Sequence, residues 1–384
     1  MGHYFWRFDL AKILDKLLQG SNDLLRAKAS LPLRLDHLLA TFCSRGATDP
    51  RDKVFGILAM AKEPPLDLVN YNIEFHQAYT QCAKHIIETH RDLLVLEEVG
   101  LTEDPRRCTA LPCWVPDWRR QLSVDERPHE PSRFSACRQS QWHGGVSETE
   151  LVAAGFILDK ITRIARVSEG PGLEAKAINI YQCRSLAGLD GSKSEPSRYL
   201  GGCPRLQAFW LTLFEDTDPF ERSYQKYQTI HQECREEIQR YEGIWGTLKA
   251  VLKSSRPTYP FPEGMFDNIP EDVQQRLAEF THSYDSNTGV SDGQDAGYMM
   301  QFSLRKLQAN RFSCCQKGYI GLAPRTARNG DQVWILQGSR VPVVVRPYSQ
   351  GNCAILVGVC FVQGIIYREF LVDNTLQPSI LRIK

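Results

Sequence analysis

Much of what would announce a chemistry is missing from this chain. It has no G-x-x-x-x-G-K-[ST], no G-x-G-x-x-G and no H-E-x-x-H, so P-loops, dinucleotide folds and zinc-protease helices have no sequence support. It has almost no net charge. Against 46 Lys and Arg stand 45 Asp and Glu, a balance of +1, which offers no electrostatic case for nucleic acid or an anionic membrane. Its longest apolar stretch, Ala354 to Tyr367, is interrupted by Gln363 and falls short of the roughly 20 residues of a spanning helix. The opening MGHYFWRFDL has no apolar signal core, and Trp6 stands where a myristoylation motif wants Ser or Thr. The 12 cysteines include no C-x-x-C pair, so reduced thiols in a cytoplasmic protein are expected.

What is present is an ordinary globular balance, 42% apolar and 24% charged, over 384 residues. That length suggests two or three domains and is ample for a sizeable core. The first 120 residues read as helical. Leu10, Ile13, Leu14 and Leu17 mark one apolar stripe, Leu35, Leu38, Leu39 and Phe42 a second, and Phe75, Ala78, Tyr79, Cys82 and Ile86 a third. Residues 121–150 read as a polar surface loop. The run from Leu151 to Ile164 reads as a strand kinked at Gly155. Residues 171–310 turn helical again, with Leu206, Phe209, Trp210, Leu213 and Phe214 on one face and a heptad-like stripe from Tyr224 to Trp245. The last seventy residues carry short apolar runs, DQVWILQG, RVPVVVRP, CAILVGVCFVQG and EFLVD, separated by turn residues. Such strands need partners. The expectation is an α+β fold: a helical region, then a discontinuous small β-barrel-like or sandwich unit from 151–170 and 311–384, with residues 171–310 as a helical insertion. The strand at Leu151–Ile164 should pair with strands after Asp331.

The densest charge cluster lies in ATDPRDKVFGILAMA, Ala47 to Ala61. Asp49 suits an N-cap, Pro50 the first helical position, and Asp52 the positive end of the helix dipole. A cap does not need Arg51 or Lys53. Arg51 is expected to lock onto carboxylates or carbonyls of a neighbouring segment. In LPCWVPDW, Pro112 and Pro116 hold the chain extended or turned, Trp114 and Trp118 read as anchors to a helical core, and Asp117 as a local hydrogen-bond acceptor. The vicinal Cys314 and Cys315 would point to opposite faces of a strand, one buried and one not. In HIIETH, His85 and Glu88 share a helix face but His90 does not, so no metal set assembles, and His231 reads as a boundary histidine. No catalytic, cofactor or metal residue is assigned.

These segments, in this order, resemble the fungal heterokaryon-incompatibility (HET) domain proteins: ATDPRDKVFGILAMA, then NYNIEFHQAYTQCAKHII, then LPCWVPDW. The stretch from Asn310 to Pro347 is similar to the region these proteins carry farther along, where a Gly-Asp pair, here Gly330 and Asp331, precedes a strand and a "G…P…LRP"-like turn. LVGVCFVQGI resembles the strand that follows, with Gln363 where His is usual. The family's SYxWG-like block has no counterpart, and its proposed catalytic glutamate has no matching position. The resemblance therefore implies the C-terminal portion of such a protein without its N-terminal HET core. It implies a non-enzymatic regulatory or scaffold region acting in nonself recognition and programmed cell death, with a protein partner or the missing HET domain as its counterpart. A co-opted enzyme of a secondary-metabolite pathway and a non-functional truncated fragment are the alternatives.

Overall fold

The computed structural model describes residues 34–42, 45–61, 65–100, 103–120, 122, 134–137, 140–166, 173–189, 199–200, 203–215, 245–246, 249–250, 252–253, 306–348, 353–367, 370 and 376–384. The stripe expected at Leu10–Leu17 and most of the one expected at Tyr224–Trp245 lie outside the described residues.

Three helices open the described chain. In α1 (Leu35–Phe42) the buried residues are Leu35, Asp36, Leu38 and Leu39. In α2 (Asp52–Leu58) Val54, Phe55 and Leu58 are buried. The longest, α3 (Phe75–His90), buries Ala78, Tyr79, Cys82, Ala83, Ile86 and Ile87, a face with helical periodicity. Gln77 Oε1 accepts the Glu74 N–H at 3.0 Å and closes the start of α3. Arg91 stops it in a left-handed conformation, φ 54°. A 3-10 turn at Leu94–Glu98 follows.

The β part is nucleated by one long strand. A two-residue β1 (Gly145–Val146) forms a hairpin with β2 (Leu151–Ile164). The remaining strands come after a long interval: β3 (Asn310–Cys315), β4 (Ile320–Pro324), β5 (Gln332–Leu336), β6 (Val343–Pro347), β7 (Cys353–Val359), β8 (Phe361–Val362) and β9 (Ser379–Ile383). From Leu151 to Gly155, β2 pairs antiparallel with β9, and from Gly155 to Lys160 with β5. β5 pairs β6, β6 pairs β7, and β7 runs parallel to β9. The pairings close a ring, β2–β5–β6–β7–β9–β2, a small barrel-like unit. Pairing between β2 and strands after Asp331 is thus observed directly. From Ile161 onward β2 joins β3, which continues to β4 and β8. Gly155 stands where β2 meets both β5 and β9. A Cβ there would lie 2.6 Å from the Ile335 carbonyl oxygen, so only glycine permits that approach.

Between β2 and β3 the described helices are α4 (Leu173–Leu186) and α5 (Arg205–Leu213). They share one apolar cluster with Phe312, Cys314, Ile320 and Leu322 of β3 and β4. Alternate residues of the ring split between two other clusters. Val333, Ile335, Val344 and Val357 join one. Trp334, Leu336, Val343, Val345, Ala354, Leu356, Leu381 and Ile383 join the other, together with the buried faces of α1, α2 and α3. The helical region and the ring therefore share a single hydrophobic core.

Four sequence expectations need correction. Regular helix begins at Asp52, not Pro50, because Asp49–Arg51 form a tighter turn with i→i+3 bonds. Cys314 and Cys315 do take opposite faces, but both are buried, since β3 is covered on each side. The stretch expected to be a surface loop contains buried Phe134, Ala136, Cys137 and Trp142, and Trp142 Nε1 donates to the Val152 carbonyl at 3.1 Å. Of EFLVD, Phe370 lies in a 3-10 turn and the other four residues lie outside the described residues; the strand described in that region is β9.

Candidate functional site

The charged motifs are built into three clamps. In the first, Asp49 Oδ1 accepts the Arg51 backbone N–H at 2.9 Å, an Asx turn just before α2; the helix's N-cap position is Arg51, not the expected Asp49, and has no side-chain cap bond. The same carboxylate takes the Arg51 guanidinium in a fork, Nε at 3.0 Å and Nη2 at 2.7 Å. Arg51 Nη1 then reaches the carbonyls of Tyr71 and, at 3.0 Å, Ile73. Its hydrogen bond to Asp49 raises the Arg51 pKa and lowers that of the aspartate. Asp52 accepts the Tyr71 hydroxyl, and Lys53 Nζ donates to the Arg45 carbonyl. The Pro50 carbonyl accepts the hydroxyl of buried Tyr79 at 2.7 Å. Pro50, Arg51, Asp52 and Lys53 each reach another part of the helical region, and Asp49 holds Arg51 in place.

Tyr79 and Phe75 carry the contact onward to LPCWVPDW. Tyr79 meets Trp118 edge-on at 5.2 Å, and the Arg119 guanidinium lies 4.4 Å from the centre of the Phe75 ring. Asp117 forks Arg119 at 2.8 and 2.6 Å and accepts the Cys108 N–H at 3.0 Å. Burial works to raise the Asp117 pKa, but Arg119 and that N–H outweigh it and hold the carboxylate below its usual range. Trp114 and Trp118 are both buried in the shared core. The two motifs, some sixty residues apart, therefore meet on one face of α3. Beneath them lies Arg107, whose Nη2 donates to the carbonyls of Pro112 and Val115 at 2.6 and 2.8 Å. Burial lowers its pKa.

The second clamp holds the ring. Gly330, at φ 100°, turns the chain so that its N–H reaches the Ile161 carbonyl at 2.8 Å. Asp331, with its side chain 3% exposed, receives Arg346 from the end of β6 through Nε and Nη2, each at 2.9 Å, and the Arg328 N–H at 2.8 Å. Arg346 also meets Glu103 and donates to the Thr326 carbonyl at 3.0 Å. Glu103 takes Arg328 as well, at 3.0 Å.

The third clamp joins helices to ring. Arg340, between β5 and β6, forks buried Glu97 at 3.1 and 2.7 Å. Nearby, Arg34 forks both Asp36 and Asp92. None of Arg34, Glu97, Glu103, Arg340 or Arg346 was singled out from sequence. The one available signal was the Arg of the "LRP"-like turn. The other pairs span up to 243 residues and leave no local pattern.

Among the described residues, no group of three or more His, Cys, Asp or Glu is arranged to hold a metal ion. No described helix is long and apolar enough to cross a membrane.

Comparison with known proteins gives the context of this framework. Residues 207–375 match the Het-6 beta-barrel domain family. That span runs from α5 through β8; β2 and β9, which complete the ring, lie outside it. Over 375 aligned positions the chain is 24% identical to Heterokaryon incompatibility protein 6, OR allele, of Neurospora crassa, covering 87% of this chain and 51% of that protein. The chain thus spans about half the length of the curated relative it matches. No solved structure matches the chain. The chain is thus similar over residues 207–375 to the Het-6 beta-barrel domain, and along most of its length to a fungal heterokaryon incompatibility protein.

Proposed function

We propose that this chain serves fungal heterokaryon incompatibility as a non-catalytic scaffold, presenting a rigid surface to a protein partner or to a HET core domain in the cytoplasm. Its relationship to a heterokaryon incompatibility protein supports the role in incompatibility. The observation that carries the scaffold reading is the use made of the motif charges. Asp49, Arg51, Asp52, Lys53, Asp117 and Asp331 all bind groups of this same chain. A carboxylate forked by arginine is a poor general base, because its lone pairs are occupied and its proton affinity is reduced. Asp49 to Lys53 and Asp117 brace the helical region, Asp331 braces the ring, and Glu97 with Arg340 joins the two beside the apolar cluster they share.

The test is catalytic. Purified protein is incubated with NAD and with generic ester and phosphate substrates, and nicotinamide, acid and phosphate release are followed. The scaffold reading expects no turnover above a mock purification. Turnover that survives that control and disappears in Asp331→Asn or Glu97→Gln would overturn it.

A further inference from the structure

We propose that the C-terminal end of α4 carries a binding site for a doubly charged oxyanion, a phosphate group, held between Arg163 and Arg205. Arg163 lies near the end of β2 and is exposed; Arg205 opens α5 and is half-buried. Arg163 Nη2 donates to the Leu186 carbonyl at 3.1 Å, and Arg205 Nε to the Ala187 carbonyl at 2.6 Å. The two acceptors are consecutive residues at one helix end, so guanidiniums from two separate elements stand side by side. Arg51, Arg119, Arg340 and Arg346 each fork a carboxylate. Among the described residues, Arg163 and Arg205 meet none. The Cys314 thiol donates to the same Leu186 carbonyl at 3.4 Å, and the charges around it are these two guanidiniums, with no carboxylate.

Capping of α4 accounts for only part of this arrangement. A helix C-terminus carries roughly half a negative charge, and arginine commonly satisfies its last carbonyls. Two full positive charges exceed that, and side by side they repel. A guanidinium has five N–H donors, and the helix carbonyl occupies one of them on each arginine. Arg163 and Cys314 already fill both lone pairs of the Leu186 carbonyl, so the remaining donors must look outward. The positive end of the α5 dipole lies at the same place, because that helix begins at Arg205 behind Pro204 with no side-chain cap. Planar guanidinium forks match the oxygen edges of a phosphate, and a dianion answers both charges at once, where a carboxylate answers one. The carbonyls already hold both heads, so little side-chain freedom is lost on binding.

Thermal unfolding of the full chain is followed while inorganic phosphate or O-phosphoserine replaces sodium chloride at constant ionic strength and pH. A saturable rise in Tm is expected in the parent with either anion. Tighter binding of phosphoserine would mark a phosphorylated side chain as the source of the group, and tighter binding of inorganic phosphate the free ion. Arg163→Gln and Arg205→Gln should each weaken binding about tenfold, the worth of one charged hydrogen bond. Arg163→Lys keeps the charge but loses the fork, and should fall between Arg163→Gln and the parent. Arg382→Gln alters a half-exposed arginine of the ring and should bind as the parent does. Should Arg205→Gln fail to melt cooperatively, the exposed Arg163→Gln carries the comparison. A parent Tm that neither anion moves beyond its value in sodium chloride would overturn the proposal. So would a rise that survives undiminished in Arg163→Gln.

Discussion

Replacing Asp331 by alanine is the sharpest perturbation of the ring clamp. The carboxylate is almost wholly enclosed and receives three donors, two from Arg346 and one from the Arg328 backbone. Its loss leaves Arg346 with a side chain 17% exposed and an unmatched charge beside the vacated position. Breaking a buried pair from one side costs about 3–5 kcal/mol. Arg346 retains Glu103 and the Thr326 carbonyl, so the lower end, about 3 kcal/mol, is expected. That is a large share of the roughly 5–15 kcal/mol typical of a folded domain. Urea unfolding followed by tryptophan emission suits the purpose, because buried Trp334 lies on β5 just beyond Asp331. Asp331→Ala combined with Arg346→Met should recover to within about 1 kcal/mol of the parent, since no charge is then stranded. A single variant costing less than about 1 kcal/mol, or a double variant as damaged as the single, would refute the reasoning.

Three further outcomes are expected. Tyr79→Phe removes the hydroxyl that holds the Pro50 carbonyl and should cost about 1 kcal/mol in urea unfolding; an unchanged midpoint would mean that α3 does not tie the DPRD turn. Gly155→Val forces a side chain toward the Ile335 carbonyl and should cost about 1–3 kcal/mol, with lost exchange protection along β2 and β5; unaltered protection would contradict the observed closure of the ring. The Arg106 side chain, then its backbone N–H and Arg120, outweigh desolvation and hold the Asp104 carboxylate at about 2, so its contribution is complete above the ordinary carboxylate range and is lost as pH falls from about 4 toward 2; an NMR titration midpoint near the free-aspartate value of about 3.9 would contradict this.

The parts of the fold that could be read from sequence are those whose order is local. Leu35, Leu38 and Leu39 recur at helical spacing because α1 has one buried face, and β5 to β7 are apolar runs cut by turns. Elements covered on two sides were harder. In β3, Phe312 and Cys314 face one cluster while Cys315 faces another, which erases alternation. β9 is short and exposes Ile380, so it resembles a tail until β2 and β7 are placed on either side of it. The expected role of Arg51, reaching backbone carbonyls of a neighbouring segment, follows from local reasoning about what a cap does not need. Glu97 with Arg340, and Glu103 with Arg346, are products of tertiary packing across 243 residues, and no local rule points to either.

The central claim is that the motif charges build the body and perform no chemistry of their own. It is tested most directly by scoring heterokaryon viability in a fungus expressing the parent chain, Asp331→Ala, or the Asp331→Ala and Arg346→Met double variant, with each chain's folding measured in parallel. The account predicts that the biological effect follows folding: lost or weakened in the single variant, recovered in the double. A double variant that folds as well as the parent and is nevertheless inactive would contradict it, because Asp331 and Arg346 would then act on something other than each other.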